Sequence, residues 1–163
     1  MNNFLRTLTF CVIALLSAVS VKAQGDVTAK WDFKNDLPAG IQETTNYQKT
    51  TVDIPSTVEG VSMHVDATNG KLYCIGRNNA QFNSGTILQV PVKSTRDIVV
   101  VENYPNYRGY TVGGVAATAD VNEHRATTDE VAKGYVEIKA TDSGYLYGVQ
   151  VTFVSAIATK ELY

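Results

Sequence analysis

Three tyrosines and an arginine fall within one predicted loop, Tyr104-Pro105-Asn106-Tyr107-Arg108-Gly109-Tyr110, of a chain with nine tyrosines and one tryptophan. Flat amphipathic rings beside amide and guanidinium donors suit sugar binding. A ring face stacks on the apolar C–H face of a pyranose, and the donors fix its hydroxyls or carboxylates. Tyr104, Tyr107 and Tyr110 are therefore candidate platforms, and Arg108 is a candidate partner for hydroxyl or uronate groups. A planar guanidinium pairs bidentately with a carboxylate. The segment Arg77-Asn78-Asn79-Ala80-Gln81-Phe82-Asn83 supplies a second dense set of planar donors. Arg77, Asn79, Gln81 and the nearby Lys71 join the candidate ligand-binding set. A packing role competes at each of these positions, because the tyrosines could lie under a loop and Gln81-Phe82 could brace a strand.

Other chemistries find little support. His64 and His124 are the only side chains that titrate near neutrality, and neither stands in a metal-ligand spacing. There is no G-x-S-x-G elbow and no phosphate-cradling glycine loop. The carboxylates are scattered singly, so nothing marks out a glycosidase pair. No catalytic residue, cofactor or metal ligand is assigned. Asp66, Asp120 and Asp142 lie in loop-like stretches that could supply oxygen ligands to a structural calcium ion, although no spaced acidic run supports one. Cys74 sits in the apolar run Leu72-Tyr73-Cys74-Ile75, where a buried inert thiol is expected.

The first 23 residues read as a secretory signal peptide. Arg6 is the basic element, residues 8–19 are apolar, and Val21-Lys22-Ala23 is a small-x-small cleavage site before Gln24. The apolar run is short of the roughly 20 residues that span a bilayer. The expected product is exported to the periplasm or outside the cell and does not span the membrane. Cleavage takes Arg6 and Lys22 but no acid, moving the formal net charge from −2 to −4. It also removes Cys11, which leaves one thiol and no intramolecular disulfide. A nucleic-acid partner is not expected, since there is no basic cluster.

The elements that must position the candidate residues are strands. Period-two alternation puts Val27, Ala29, Trp31 and Phe33 on one face, Val61, Met63 and Val65 on another, and Leu88, Val90 and Val92 on a third. KLYCIG and Ile98-Val99-Val100-Val101 are further strands. Val136, Ile138 and Ala140 point inward, as do Tyr145, Tyr147, Val149, Val151 and Phe153 by the same rule. Turn signals stand at Leu37-Pro38-Ala39-Gly40, Asn69-Gly70, Asn83-Ser84-Gly85, Gly113-Gly114 and Asp142-Ser143-Gly144. Asn69-Gly70 predicts a hairpin. One short helix is predicted near residues 128–133, with Thr127 able to cap it and Gly134 to end it. Eight or nine short strands without long helices predict an all-β antiparallel sandwich of jelly-roll type. The expected organisation is a signal peptide over 1–23, a sandwich over 24–154 and a tail over 155–163.

The segments AKWDF, DATNGK, RNNAQFNSGTILQVPV, YTVGGVAATADV and EVAKGYVEIKATDSGYLYGVQV together resemble a non-catalytic β-sandwich module. Such modules stand beside the catalytic β-helix of secreted bacterial pectate lyases and pectin methylesterases, and the resemblance covers nearly all of residues 27–154. It implies a jelly-roll-like carbohydrate-binding or ancillary domain that holds an enzyme near plant-wall, pectic polysaccharide. Arg77, Gln81 and Phe82 match the family-like run, without a ligand contact being assigned to them. The chain ends at Tyr163, so the resemblance implies an accessory module and not an enzyme. A structural or protein-interaction sandwich without glycan binding is the second hypothesis, and a small secreted lyase or esterase is the third. Convergence of Arg77, Arg108 and residues 104–110 on one concave surface would favour the first.

Overall fold

The computed structural model describes residues 25–35, 46–74 and 78–156. The proposed signal peptide, the Leu37-Pro38-Ala39-Gly40 turn, Arg77 and residues 157–163 of the tail lie outside the described residues. The fold is all-β and antiparallel, as the alternation predicts. In chain order the strands are β1 (Val27–Asp32), β2 (Asn46–Gln48), β3 (Thr51–Pro55), β4 (Ser62–Asp66), β5 (Lys71–Tyr73), β6 (Ala80–Phe82) and β7 (Ile87–Pro91). They continue as β8 (Ile98–Val112), β9 (Val115–Ala116), β10 (Val121–Arg125) and β11 (Tyr135–Phe153), with the helix α1 (Thr128–Lys133) before β11.

Two long strands organise everything else. The first half of β11 pairs with β7, its middle with β6 and its last third with β1, while β8 runs along nearly its whole length. From this spine the path continues through β7, β4 and β3 on one side and through β6, β5 and β2 on another. β10 and β9 close onto β8. Strands that bend and serve both layers turn the sheet back on itself, so the inward faces enclose one core. Trp31, Phe33, Phe82, Leu88, Ile138 and Leu146 are buried there, with Cys74 among them. Trp31 Nε1 donates to the Ile54 carbonyl at 2.8 Å, which satisfies its only polar atom inside the core.

Most of the alternation holds. Ala29, Trp31 and Phe33, then Met63 and Val65, then Leu88, Val90 and Val92, then Val136, Ile138 and Ala140 are all buried. The helix also stands where its caps place it. Thr127 Oγ1 accepts from the Glu130 amide, the Glu130 side chain accepts from the Thr127 amide, and Gly134 ends the helix at φ 87°. Gly113 and Gly114, both at positive φ, form the two-residue turn between β8 and β9.

Three expectations fail, each at a connection. Asn69-Gly70 is a turn but not a hairpin, because β4 pairs with β3 and β7 whereas β5 pairs with β2 and β6. The turn carries the chain between two non-neighbouring parts of the sheet. Asp142-Ser143-Gly144 does not reverse the chain, since β11 runs through it with a register shift between Ala140 and Gly144. The predicted loop at residues 104–110 belongs to β8.

Candidate functional site

The register between β8 and β11 builds the most distinctive surface of the molecule. From Asn103 to Arg108, β8 advances five residues while β11 advances only two, from Leu146 back to Gly144. The surplus on β8 bulges outward and carries Tyr104 and Tyr107 into solvent, 40% and 45% exposed. Asn106, at the crest, takes φ 69°, a left-handed conformation that Asn tolerates. A second shift lies between Leu146 and Gly148, where β11 advances two residues against one on β8. It moves Tyr147 off the inward face assigned by simple alternation, so Tyr147 is half-buried on the outer surface while Leu146 and Val149 point inward.

The two bulges bring four rings together. Tyr107 lies edge-on to Tyr145 at 4.6 Å and to Tyr104 at 5.6 Å, and Tyr104 meets Tyr147 at 5.4 Å. Tyr104, Tyr107 and Tyr145 line a recess of about 260 Å³ with Asn79. Asn79 is only 7% exposed, and its Oδ1 is the one buried side-chain polar atom among the described residues without a hydrogen-bond partner. Buried acceptors are usually satisfied, so an orphan beside a recess calls for a reason. At the far edge Lys34 Nζ sits 4.4 Å from the Tyr147 ring centroid, a cation–π geometry.

The candidate residues divide between this patch and other duties. Tyr104, Tyr107 and Asn79 meet in the recess. Tyr110 does not. It is 1% exposed in the core, packed against Phe82 with tilted rings 5.6 Å apart, and its hydroxyl donates to Asn103 Oδ1 at 2.7 Å and accepts from Asn122 Nδ2 at 3.0 Å. Burial pushes its phenol up to about 12. The reason is parity: the extra residues of the bulge reverse the inward and outward positions after Asn103, which turns Tyr110 inside. Arg108 is likewise engaged within the protein. Its Nε and Nη2 donate to Asp120 Oδ1 at 3.0 and 2.8 Å, so it braces the bulge rather than presenting a free fork.

Gln81 stands in register between Tyr73 and Tyr145, on the same outward face as Tyr145, and donates to Asn83 Oδ1 at 3.3 Å. Lys71 lies 5.7 Å from the Tyr73 ring and lines a separate polar depression with Lys49, Asn69 and Asn83. It is not part of the tyrosine recess.

Tyr145 and Tyr147 are the residues that sequence reasoning missed, since both were assigned to the core. The available signal was Gly148 directly after Tyr147, because a glycine inside a strand often marks a bulge.

Both histidines are engaged by carboxylates within the protein. His64 Nδ1 lies 2.6 Å from Asp53 Oδ1 on an exposed sheet face. His124 Nε2 donates to the Glu130 carboxylate at 2.9 Å, with both side chains largely buried. The calcium candidates do not converge. Asp66 accepts from the Thr68 amide, Asp142 from the Ser143 amide, and Asp120 from Arg108. Among the described residues no group of three or more His, Cys, Asp or Glu side chains could hold a metal ion. Burial pushes the Cys74 thiol up to about 12, which removes the thiolate that nucleophilic chemistry needs. Among the same residues no helix is long and apolar enough to cross a membrane.

No family model, curated protein or solved structure matches the chain.

Proposed function

We propose that this chain is an exported, non-catalytic carbohydrate-binding module whose platform is the patch Tyr104, Tyr107, Tyr145 and Tyr147. One observation carries this reading: two exposed rings, held out by a bulge, border a recess lined by Asn79, whose buried amide oxygen is unpartnered. Ring faces and edges offer the apolar contact that a pyranose needs. A sugar hydroxyl entering the recess is a donor of the kind Asn79 Oδ1 lacks. Plant-wall polysaccharide is the ligand class implied by the sequence resemblance. Arg108, the expected uronate partner, is occupied by Asp120. The cation beside the patch is Lys34.

Migration through gels containing homogalacturonan, xylan or mixed-linkage β-glucan tests the reading. At least one polymer should retard the wild-type chain, and Tyr107→Ala should restore most of the mobility. Unretarded migration in all three would overturn it. The mutual edge-on contacts of the rings favour a second reading, a docking or spacer sandwich in which the tyrosines serve packing. In that case Tyr107→Ala lowers the melting temperature and no polymer retards either form.

A further inference from the structure

We propose that the glycan surface continues beyond Tyr147 into a second subsite, the groove over Gly148, which takes an uncharged, hydroxyl-bearing sugar ring of the same polymer. This rests on reading the tyrosine patch as a glycan platform. Four adjacent strands place Asp32, Gly148, Glu102 and Val121 in one row across the sheet. With neighbouring strands about 4.8 Å apart, Asp32 and Glu102 stand about 10 Å apart with no side chain between them. The missing side chain of Gly148 leaves a groove of about 310 Å³, and Tyr147 is one of its walls. The same ring thus borders both the four-tyrosine patch and the groove.

The lining chemistry specifies the ligand. Two carboxylates, Asp32 and Glu102, and two ammonium groups, Lys30 and Lys34, line the groove, which is therefore formally neutral and offers no net charge to attract a charged ring. The Glu102 side chain makes no hydrogen bond or ion pair among the described residues, which leaves both carboxylate oxygens to accept from hydroxyls. Exposed Val121 and the Tyr147 ring supply apolar contact for C–H groups. A groove that holds acceptors, donors and an apolar wall beside an aromatic platform fits successive residues of a chain, not a single terminal sugar.

The test is titration calorimetry with xylose- and glucose-based oligosaccharides of two and six units and with the corresponding galacturonides, on the whole chain and three variants. A Cβ at Gly148 would lie 3.3 Å from the Trp31 carbonyl oxygen, which must yield by a few tenths of an ångström, and 4.0 Å from the Asp32 Cα. Gly148→Leu should then fill the slot. Neutral six-unit oligomers should bind the wild type about tenfold more tightly than two-unit ones, because only the longer chains reach the second subsite. Gly148→Leu should bring the six-unit affinity down to the two-unit value. Glu102→Ala, on the exposed surface, should reduce the length effect in the same direction and guards against misfolding of the leucine variant.

Equal affinity for short and long oligomers, a length effect untouched by both variants, or a preference for the six-unit galacturonide would overturn the second subsite while leaving the platform standing. Tyr107→Ala separates the two ideas. Oligomer binding that survives this substitution unchanged, or no binding by any oligomer, overturns the platform and the subsite with it.

Discussion

A single carboxylate oxygen holds out the segment that displays the two exposed tyrosines. Asp120 Oδ1 accepts from the Asn106 amide, from Arg108 Nε and Nη2, and more distantly from Asn103 Nδ2. The Arg108 hydrogen bonds, then the Asn106 amide, hold the Asp120 carboxyl below its usual range. A lowered folded-state pKa stabilises above the unfolded value, near 3.9, and the contribution is lost as pH falls through the folded value. Asp120→Ala should thus weaken retention by any polymer that binds at neutral pH severalfold, with a small change in melting temperature because the pair is solvent-screened. The wild type should keep its retention at pH 4 and lose it only as pH falls through the lowered folded-state value, below 3.8. Tyr110 gives the opposite outcome. Tyr110→Phe leaves Asn103 Oδ1 and Asn122 Nδ2 without their hydroxyl partner, so it should cost about 1–2 kcal/mol by denaturant melts and leave polymer retention unchanged.

At the scale of elements, the short helix and the strand before it are tied by one buried contact. His124 on β10 donates to Glu130 in the first turn of α1, and Glu130 also accepts from the Thr127 amide and hydroxyl. Gly113 makes the approach possible, since a Cβ there would collide with the imidazole. Burial alone would raise the Glu130 carboxyl. The hydrogen bonds from His124 and Thr127 outweigh it and hold the group below its usual range. Its contribution is present above the unfolded pKa near 4.3 and disappears as pH falls through the folded value. Glu130→Gln should therefore be less stable than wild type at pH 7, and the gap should close in urea melts below pH 4. Thr127→Ala removes the cap oxygen and should cost about 1 kcal/mol.

The capping residues made α1 legible from sequence alone because a cap is local: Thr127, Glu130 and Gly134 lie within about two turns of chain. The strands were legible for the same reason, as Ala29-Trp31-Phe33 and Val136-Ile138-Ala140 show. The bulges were not. Whether Tyr110 points in and Tyr147 points out depends on how many residues β8 and β11 spend between shared pairs, and that count belongs to two strands at once. Half of the platform, Tyr104 and Tyr107, was visible as a cluster. The other half, Tyr145 and Tyr147, arrives only through the pairing.

For the whole molecule the same two strands are both the scaffold and the point of vulnerability. β11 touches β1, β6, β7 and β8, so no layer of the sheet is independent of it. Gly144 is the position where it passes the core most closely, opposite Phe82, and a Cβ there would sit inside contact distance of that buried ring. Phe82 has no room to retreat, being packed at 5.6 Å from the buried Tyr110. Gly144→Ala should consequently cost about 1–3 kcal/mol, the usual penalty of overpacking, or more because the clash lies at a fixed strand crossing. Since the strain falls on a strand shared by every layer, the loss should be global and not a fraying of β6. Hydrogen exchange decides this: amides of β1, β4 and β7 should accelerate together in the variant, by one common free energy. Acceleration confined to β5 and β6 would mean that the layers open separately and that β11 does not couple them.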